Sequence, residues 1–227
     1  LASAEVTAPL ASPFVFSAEI GEGGLALAGG AVSEQEKAAL AAMAAKLFPG
    51  AKIANKLAIQ SGAPGGETAA AQWALGALSR LSAGKAQITD TAIALSGKAK
   101  APGDIEDVAE LAAKAPGGFN VDAQAVAPAS VATFAFAAAR DADGLYLTGF
   151  TPDAAAHRAL IAAAQATKLP VQDHTRIAAG LPKGVDFAAL AKLALAELGG
   201  LEQGKVKLVG DKLSVQGRTL DWKLGVE

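Results

Sequence analysis

Few side chains in this sequence are equipped for chemistry. The 227 residues include two histidines, His157 and His174, and no cysteine, which removes a thiol nucleophile, a disulfide framework and any cysteine-based zinc site. A catalytic zinc site takes three protein ligands, commonly histidine with a carboxylate. His157 falls beside Arg158 on what reads as the solvated face of a helix. His174 adjoins Asp173 in a strand whose counterpart earlier in the chain carries Asn55 and Lys56. Counting alone leaves a Ser-His-Asp arrangement open, but no serine sits in a Gly-x-Ser-x-Gly elbow. Asp104, Glu106, Asp107 and Glu110 are spaced like carboxylates for acid–base work, yet they open a helix, where the dipole favours acids on a solvated first turn. Gly21-Glu22-Gly23-Gly24 could cradle a phosphate only if it led from strand to helix and ended in Lys-Ser/Thr; here it joins strand to strand. The loop Ser61 to Gly66 does precede a helix N-terminus, a generic anion site, but it holds no basic side chain, although its counterpart holds Lys183. Trp73 lies on an apolar helix face and is expected in the core, and Trp222 is expected as an exposed aromatic. No catalytic, cofactor-binding or metal-ligating residue is assigned, and the chain is expected not to be an enzyme.

A repeat positions these residues. Leu25-Ala26-Leu27-Ala28-Gly29 returns as Ile93-Ala94-Leu95-Ser96-Gly97, as Leu145-Tyr146-Leu147-Thr148-Gly149 and as Leu213-Ser214-Val215-Gln216-Gly217, at intervals of 68, 52 and 68 residues. The larger period is therefore 120 residues, which means two modules, each built of two related halves. Residues 1–12 are small, Ala-rich and Pro-punctuated and read as an extended linker. Phe14 and Phe16 alternate with small residues as a strand does, and the Gly21–Gly24 turn makes a hairpin with Leu25 and Leu27. Ser33 with Glu36 three residues later is a capping box. Leu40, Met43 and Leu47 continue that helix until Pro49-Gly50, and Ile53, Leu57 and Ile59 share one face of a third strand. After the Ser61–Gly66 loop, Trp73, Ala77, Leu78 and Leu81 line a helix expected to end at Gly84. Ala86-Ile88 and Ile93-Leu95 then form a hairpin around Asp90-Thr91. Asp104 starts a helix striped with Ile105, Val108, Leu111 and Ala112, and Phe119, Val121, Ala123 and Ala125 alternate as its following strand.

The first module (13–128) thus reads β-β-α-β over 13–60 and α-β-β-α-β over 66–127. The second (130–227) repeats it: Phe134 and Phe136 match Phe14 and Phe16, Leu160 matches Leu40, and Ile177 to Pro182 match Ile59 to Pro64 after a two-residue deletion. The last half is cut short, because 218–227 contain no counterpart of the helix from Asp104 or the strand from Phe119. The uncovered strand edge there has three resolutions: the natural polypeptide supplies the missing helix and strand, a neighbouring copy supplies a strand, or residues 218–227 fold back as a substitute edge. The first is expected for the natural protein and self-association for the chain as given. The four hairpin glycines, Gly29, Gly97, Gly149 and Gly217, are expected at equivalent turns. The predicted class is α+β, two tandem modules, each a sheet with helices packed on one face.

Composition narrows the function. Hydrophobic residues make up 52% but aromatics only 5%, so the cores are thin and Ala/Gly-rich, with a few Leu, Ile and Phe anchors. A formal charge of −2 argues against a nucleic-acid binder and against strong attraction to anionic lipid. No apolar run approaches the ~20 residues of a membrane-spanning helix, so the chain as given is expected to be soluble.

The ordered set of four hairpins ending at Gly29, Gly97, Gly149 and Gly217, the turn Phe48-Pro49-Gly50-Ala51-Lys52-Ile53 and the loops Gly62-Ala63-Pro64 and Gly180-Leu181-Pro182 together resemble the BON domain family. The resemblance covers 13–218 and is closest to the repeated BON-like region that precedes the OmpA-like domain in envelope proteins of proteobacteria and actinobacteria. It implies a non-enzymatic, exported protein, periplasmic or outer-membrane-associated, whose modules act as a scaffold, dock envelope proteins or self-associate through edge strands. The alternative it implies is a module that binds phospholipid at the membrane surface. The OmpA-like domain itself is absent from this chain, so peptidoglycan binding does not transfer to these residues. No cofactor is implied.

Overall fold

A computed structural model describes residues 8–218. The chain divides into two compact units, Leu1–Ala127 and Pro128–Glu227, and the described residues form an α+β fold with five helices and two mixed sheets.

In unit 1 the hairpin β1 (Val15–Gly21) and β2 (Gly24–Ala31) leads into helix α1 (Glu34–Leu47) and strand β3 (Ile53–Ile59). Helix α2 (Glu67–Leu78) then precedes the hairpin β4 (Leu81–Thr89) and β5 (Ala92–Ala99), helix α3 (Asp104–Ala113) and strand β6 (Asn120–Ala127). The sheet order is β3-β2-β1-β4-β5-β6. The two halves meet at the antiparallel pair β1/β4, and each half ends in a parallel pair, β2/β3 or β5/β6. Period-2 alternation assigns the faces. Phe16, Ala18, Leu25, Leu27, Ala86, Ile88, Ile93 and Leu95 are buried, while Glu19, Ala26, Ala94 and Ser96 between them are exposed. The core therefore lies on one side, under the helices, with Leu40, Ala44, Ala70, Ala74, Leu75, Leu78 and Val108 facing the sheet.

Unit 2 runs β7 (Ala135–Arg140), β8 (Leu145–Thr151), α4 (Ala154–Ala166), β9 (Val171–Ile177), α5 (Phe187–Gly199), β10 (Gln203–Val209) and β11 (Lys212–Arg218). Its sheet order, β11-β10-β7-β8-β9, is that of unit 1 without the sixth strand. Phe134, Phe136, Leu145, Leu147, Leu160, Leu195, Leu198, Val206 and Leu208 make the core.

Several local expectations need correction. The N-terminal segment is not linker throughout. The Ala11 N–H donates to the Ser61 carbonyl and the Ser61 N–H to that of Pro9, both at 2.9 Å. Val131 and Ala129 pair with Ala179 in the same way in unit 2. The linker reading of residues 1–7 lies outside the described residues. Helix α2 ends at Leu78 rather than at Gly84, and Leu81 to Gly84 already belong to β4. Gly84 is small because β5 crosses it closely: a Cβ there would stand 2.4 Å from the Ser96 carbonyl oxygen. It does not stop a helix. The capping box forms with one change, since the Ser33 hydroxyl accepts from the Glu36 N–H, as expected, but Glu36 accepts from the N–H of Val32 and not of Ser33. The hairpin glycines lie inside β2, β5, β8 and β11 rather than at turns. Gly29, Gly97 and Gly149 have φ of +100°, +142° and +94°, and Gly217 does not share that conformation.

Candidate functional site

The internal repeat serves as a control, because each feature of one unit can be set against the position 118 or 120 residues away in the other. His157 and Asp173 show its use. Expected on a solvated face, His157 instead turns to the sheet edge, where its Nε2 lies 2.8 Å from Asp173 Oδ2. The other oxygen, Oδ1, accepts from the N–H and the hydroxyl of Thr175. Burial raises the Asp173 pKa, but His157 and the two Thr175 donors outweigh it and leave the carboxyl below its ordinary value. A Ser/Thr-His-Asp relay needs the hydroxyl on the histidine, whereas Thr175 sits on the aspartate. In unit 1 the matching Asn55 accepts from the Leu57 N–H and donates to the carbonyl of Lys37, the residue matching His157. Both pairs pin the helix to the edge strand, with different chemistry. His174 alternates to the opposite, helix-free face.

The acidic cluster is likewise accounted for by packing. Arg80 reaches Asp104 at 3.6 Å and Asp107 at 3.1 Å, Asp104 also accepts from the Ala101 N–H, and Glu110 pairs with Lys114. The Trp73 indole N–H donates to the Leu111 carbonyl at 3.1 Å, so this half-buried residue seats α3 on α2. Trp222 lies outside the described residues.

A buried carboxyl pair has no precedent in the sequence reading. Glu36 Oε1 accepts from the Thr68 hydroxyl and Oε2 from the Val32 N–H. Beside it Glu67, the first residue of α2, is 2% exposed, and neither of its carboxyl oxygens accepts a hydrogen bond. Burial, then the hydrogen bond to Glu36, then the charge of Glu36 push its pKa from 4.5 to about 8. Glu67 is therefore an acid at neutral pH, held beside the Glu36 carboxyl. The repeat offered a signal that composition did not: the position matching Glu67 holds Phe187, which packs on Phe134 at 6.0 Å and on Phe136 at 5.2 Å. A carboxyl group in unit 1 thus stands where unit 2 keeps an aromatic core.

The largest difference between the units lies at one end of unit 2. In unit 1, Trp73, Ile93 and Leu95 lie beneath α3 and beside β6, and Ile93 and Leu95 are each 1% exposed. Their counterparts are Leu193 on α5 and Leu213 and Val215 on β11. Leu193 and Val215 are both 47% exposed and Leu213 is half-buried. Register places Leu213 opposite Leu208 and Val215 opposite Val206, so both project from the helix side of the sheet. Among the described residues β11 pairs only with β10, and no helix or strand covers this apolar triad. No protein-family model, curated protein or solved structure matches the chain.

Proposed function

We propose that the chain is a non-enzymatic docking and scaffold protein of the bacterial cell envelope, and that unit 2 receives a helix–strand segment from another protein along β11. The observation that carries this reading is the exposed set Leu193, Leu213 and Val215, whose counterparts in unit 1 are covered by α3 and β6. A free strand edge flanked by apolar side chains is what strand addition uses: main-chain hydrogen bonds supply affinity and alternate side-chain seats supply specificity. The cover of unit 1 supports one kind of occupant, an amphipathic helix with a stripe like Ile105, Val108 and Leu111, followed by a strand parallel to β11. Arg80, which holds the acids of α3, is replaced by Gly200, so the incoming helix is selected by its apolar stripe and not by acids. The periplasmic or outer-membrane setting rests on the BON-like resemblance.

The chain's own segment Gly103 to Ala127 is a ready probe. Added as a labelled peptide to the whole protein, it is expected to bind saturably, and Leu193→Glu combined with Val215→Glu is expected to weaken binding more than tenfold. Sedimentation of the chain alone identifies the other occupant: self-association that the same substitutions abolish means a second copy fills the site. Absence of both peptide binding and self-association would end this reading.

A further inference from the structure

Between helices α4 and α5 lies an open cavity of about 510 Å³, lined by Leu160, Ala163 and Thr167 on one wall and by Ala191, Lys192 and Leu195 on the other. The repeat shows how it arises. At the matching positions α1 carries Met43, Lys46 and Leu47, of which Met43 and Leu47 pack against the core of unit 1. Unit 2 has Ala163, Ala166 and Thr167 there, so it leaves open a space that unit 1 fills with its own side chains. On the second wall Thr68 is matched by Ala188 and Gln72 by Lys192. The cation of this pair of helices thereby moves from the last turn, at Lys46, to the middle of α5. Few polar atoms line the cavity. The Thr167 hydroxyl donates to the Ala164 carbonyl at 2.7 Å and accepts from the Leu169 N–H, so it is satisfied within its own turn. Lys192 is exposed and makes no ion pair among the described residues. Its helix neighbours three and four positions away are Ala188, Ala189, Leu195 and Ala196, and none of them can balance its charge.

We infer that this cavity binds a small organic acid, an apolar body bearing one carboxylate or sulfonate, with the body between Leu160, Ala163, Ala191 and Leu195 and the anion on Lys192. A cleft of a few hundred Å³ that is mostly apolar and holds one placed charge is the common form of a small-molecule site. The alanine and leucine walls offer no side-chain donor or acceptor, so a polar group on the enclosed part of the ligand would be left unpaired. Lys192 is the one charged side chain of the lining, and its sign selects an anion. Because the lysine is exposed, water screens its ion pair, and apolar burial supplies most of the affinity. The inference goes beyond the docking reading and uses side chains other than Leu193, Leu213 and Val215, so the two fail independently.

The probe is anilinonaphthalene sulfonate, whose fluorescence rises in apolar surroundings, titrated into the whole chain. Saturable binding is expected, displaced by naphthoate and, about threefold or more less effectively, by uncharged naphthylmethanol. Ala163→Met with Thr167→Leu, which gives α4 the side chains of α1, is expected to weaken dye binding more than about tenfold. Thr167 also closes its own turn, so Ala163→Met alone is the second variant, expected to weaken binding severalfold with circular dichroism unchanged. Lys192→Gln is expected to abolish the preference for naphthoate, and Lys192→Arg to retain it. Val215→Glu, at the docking edge, is expected to leave dye binding within about twofold. No saturable binding, equal displacement by naphthoate and naphthylmethanol, or dye binding that survives Ala163→Met and is lost with Val215→Glu would each overturn the assignment.

Discussion

Raising the pH from about 5 to about 9 is expected to weaken unit 1 by roughly 2–5 kcal/mol, and Glu67→Gln is expected to abolish that loss. The sign follows from proton binding. Glu67 has a folded pKa of about 8 against a model value of 4.5. Between those values the folded chain holds a proton that the unfolded chain has released. Stability is therefore greatest below the unfolded value, falls as the pH climbs toward about 8, and levels off above it. Once ionised, the carboxylate faces Glu36 with no donor of its own. Other groups titrate in the same window, so the decisive quantity is the difference between wild type and Glu67→Gln. Glutamine retains the shape and carries no proton that titrates in this range. Calorimetry separates the transitions of two units, and only one is expected to move with Glu67. A wild type and variant with parallel pH profiles would show that Glu67 is ionised throughout, and the carboxyl pair would have to be abandoned.

Gly29→Val and Gly149→Val are expected to destabilise their units by about 3 kcal/mol or more, and Gly217→Val by roughly 1–2 kcal/mol. At Gly29 a Cβ would stand 2.2 Å from the Val15 carbonyl oxygen, and at Gly149 2.3 Å from that of Ala135. Both glycines combine that approach with positive φ, so the neighbouring strand must move and the new side chain is strained as well. Gly217 has ordinary φ, and its closest obstacle is the flexible end of Leu201. Urea melts rank the three, and equal effects would refute the distinction drawn between them.

The repeat made the fold legible, because four hairpins in order with helices between them fix the strand count, the pairing of halves and the shortfall in unit 2. Its limits were physical. Gly84 carries the same letter as a helix stop, and only the approach of β5 shows that it serves close strand packing. Glu36 fits a capping box so well that its second role, facing Glu67, is invisible without the tertiary contact between α1 and α2. His157 reads as solvated because the periodicity of one helix cannot see that Asp173 of β9 lies beside it. Leu193 reads as one leucine among many on α5, and its exposure becomes meaningful only when set against Trp73.

The central claim is that β11, which pairs only with β10 among the described residues, takes up a strand along its other edge, and amide hydrogen exchange of the whole chain reads it directly. β5 lies between β4 and β6, so amides along Ala92–Ala99 have a partner on one side or the other. Along Lys212–Arg218 the account expects alternate amides to exchange close to the rate of an open chain, with the intervening ones protected by β10. Addition of the Gly103 to Ala127 peptide is then expected to slow the fast set. Uniform protection of β11 in the protein alone, matching that of β5, would mean that the edge is already covered and would contradict the account.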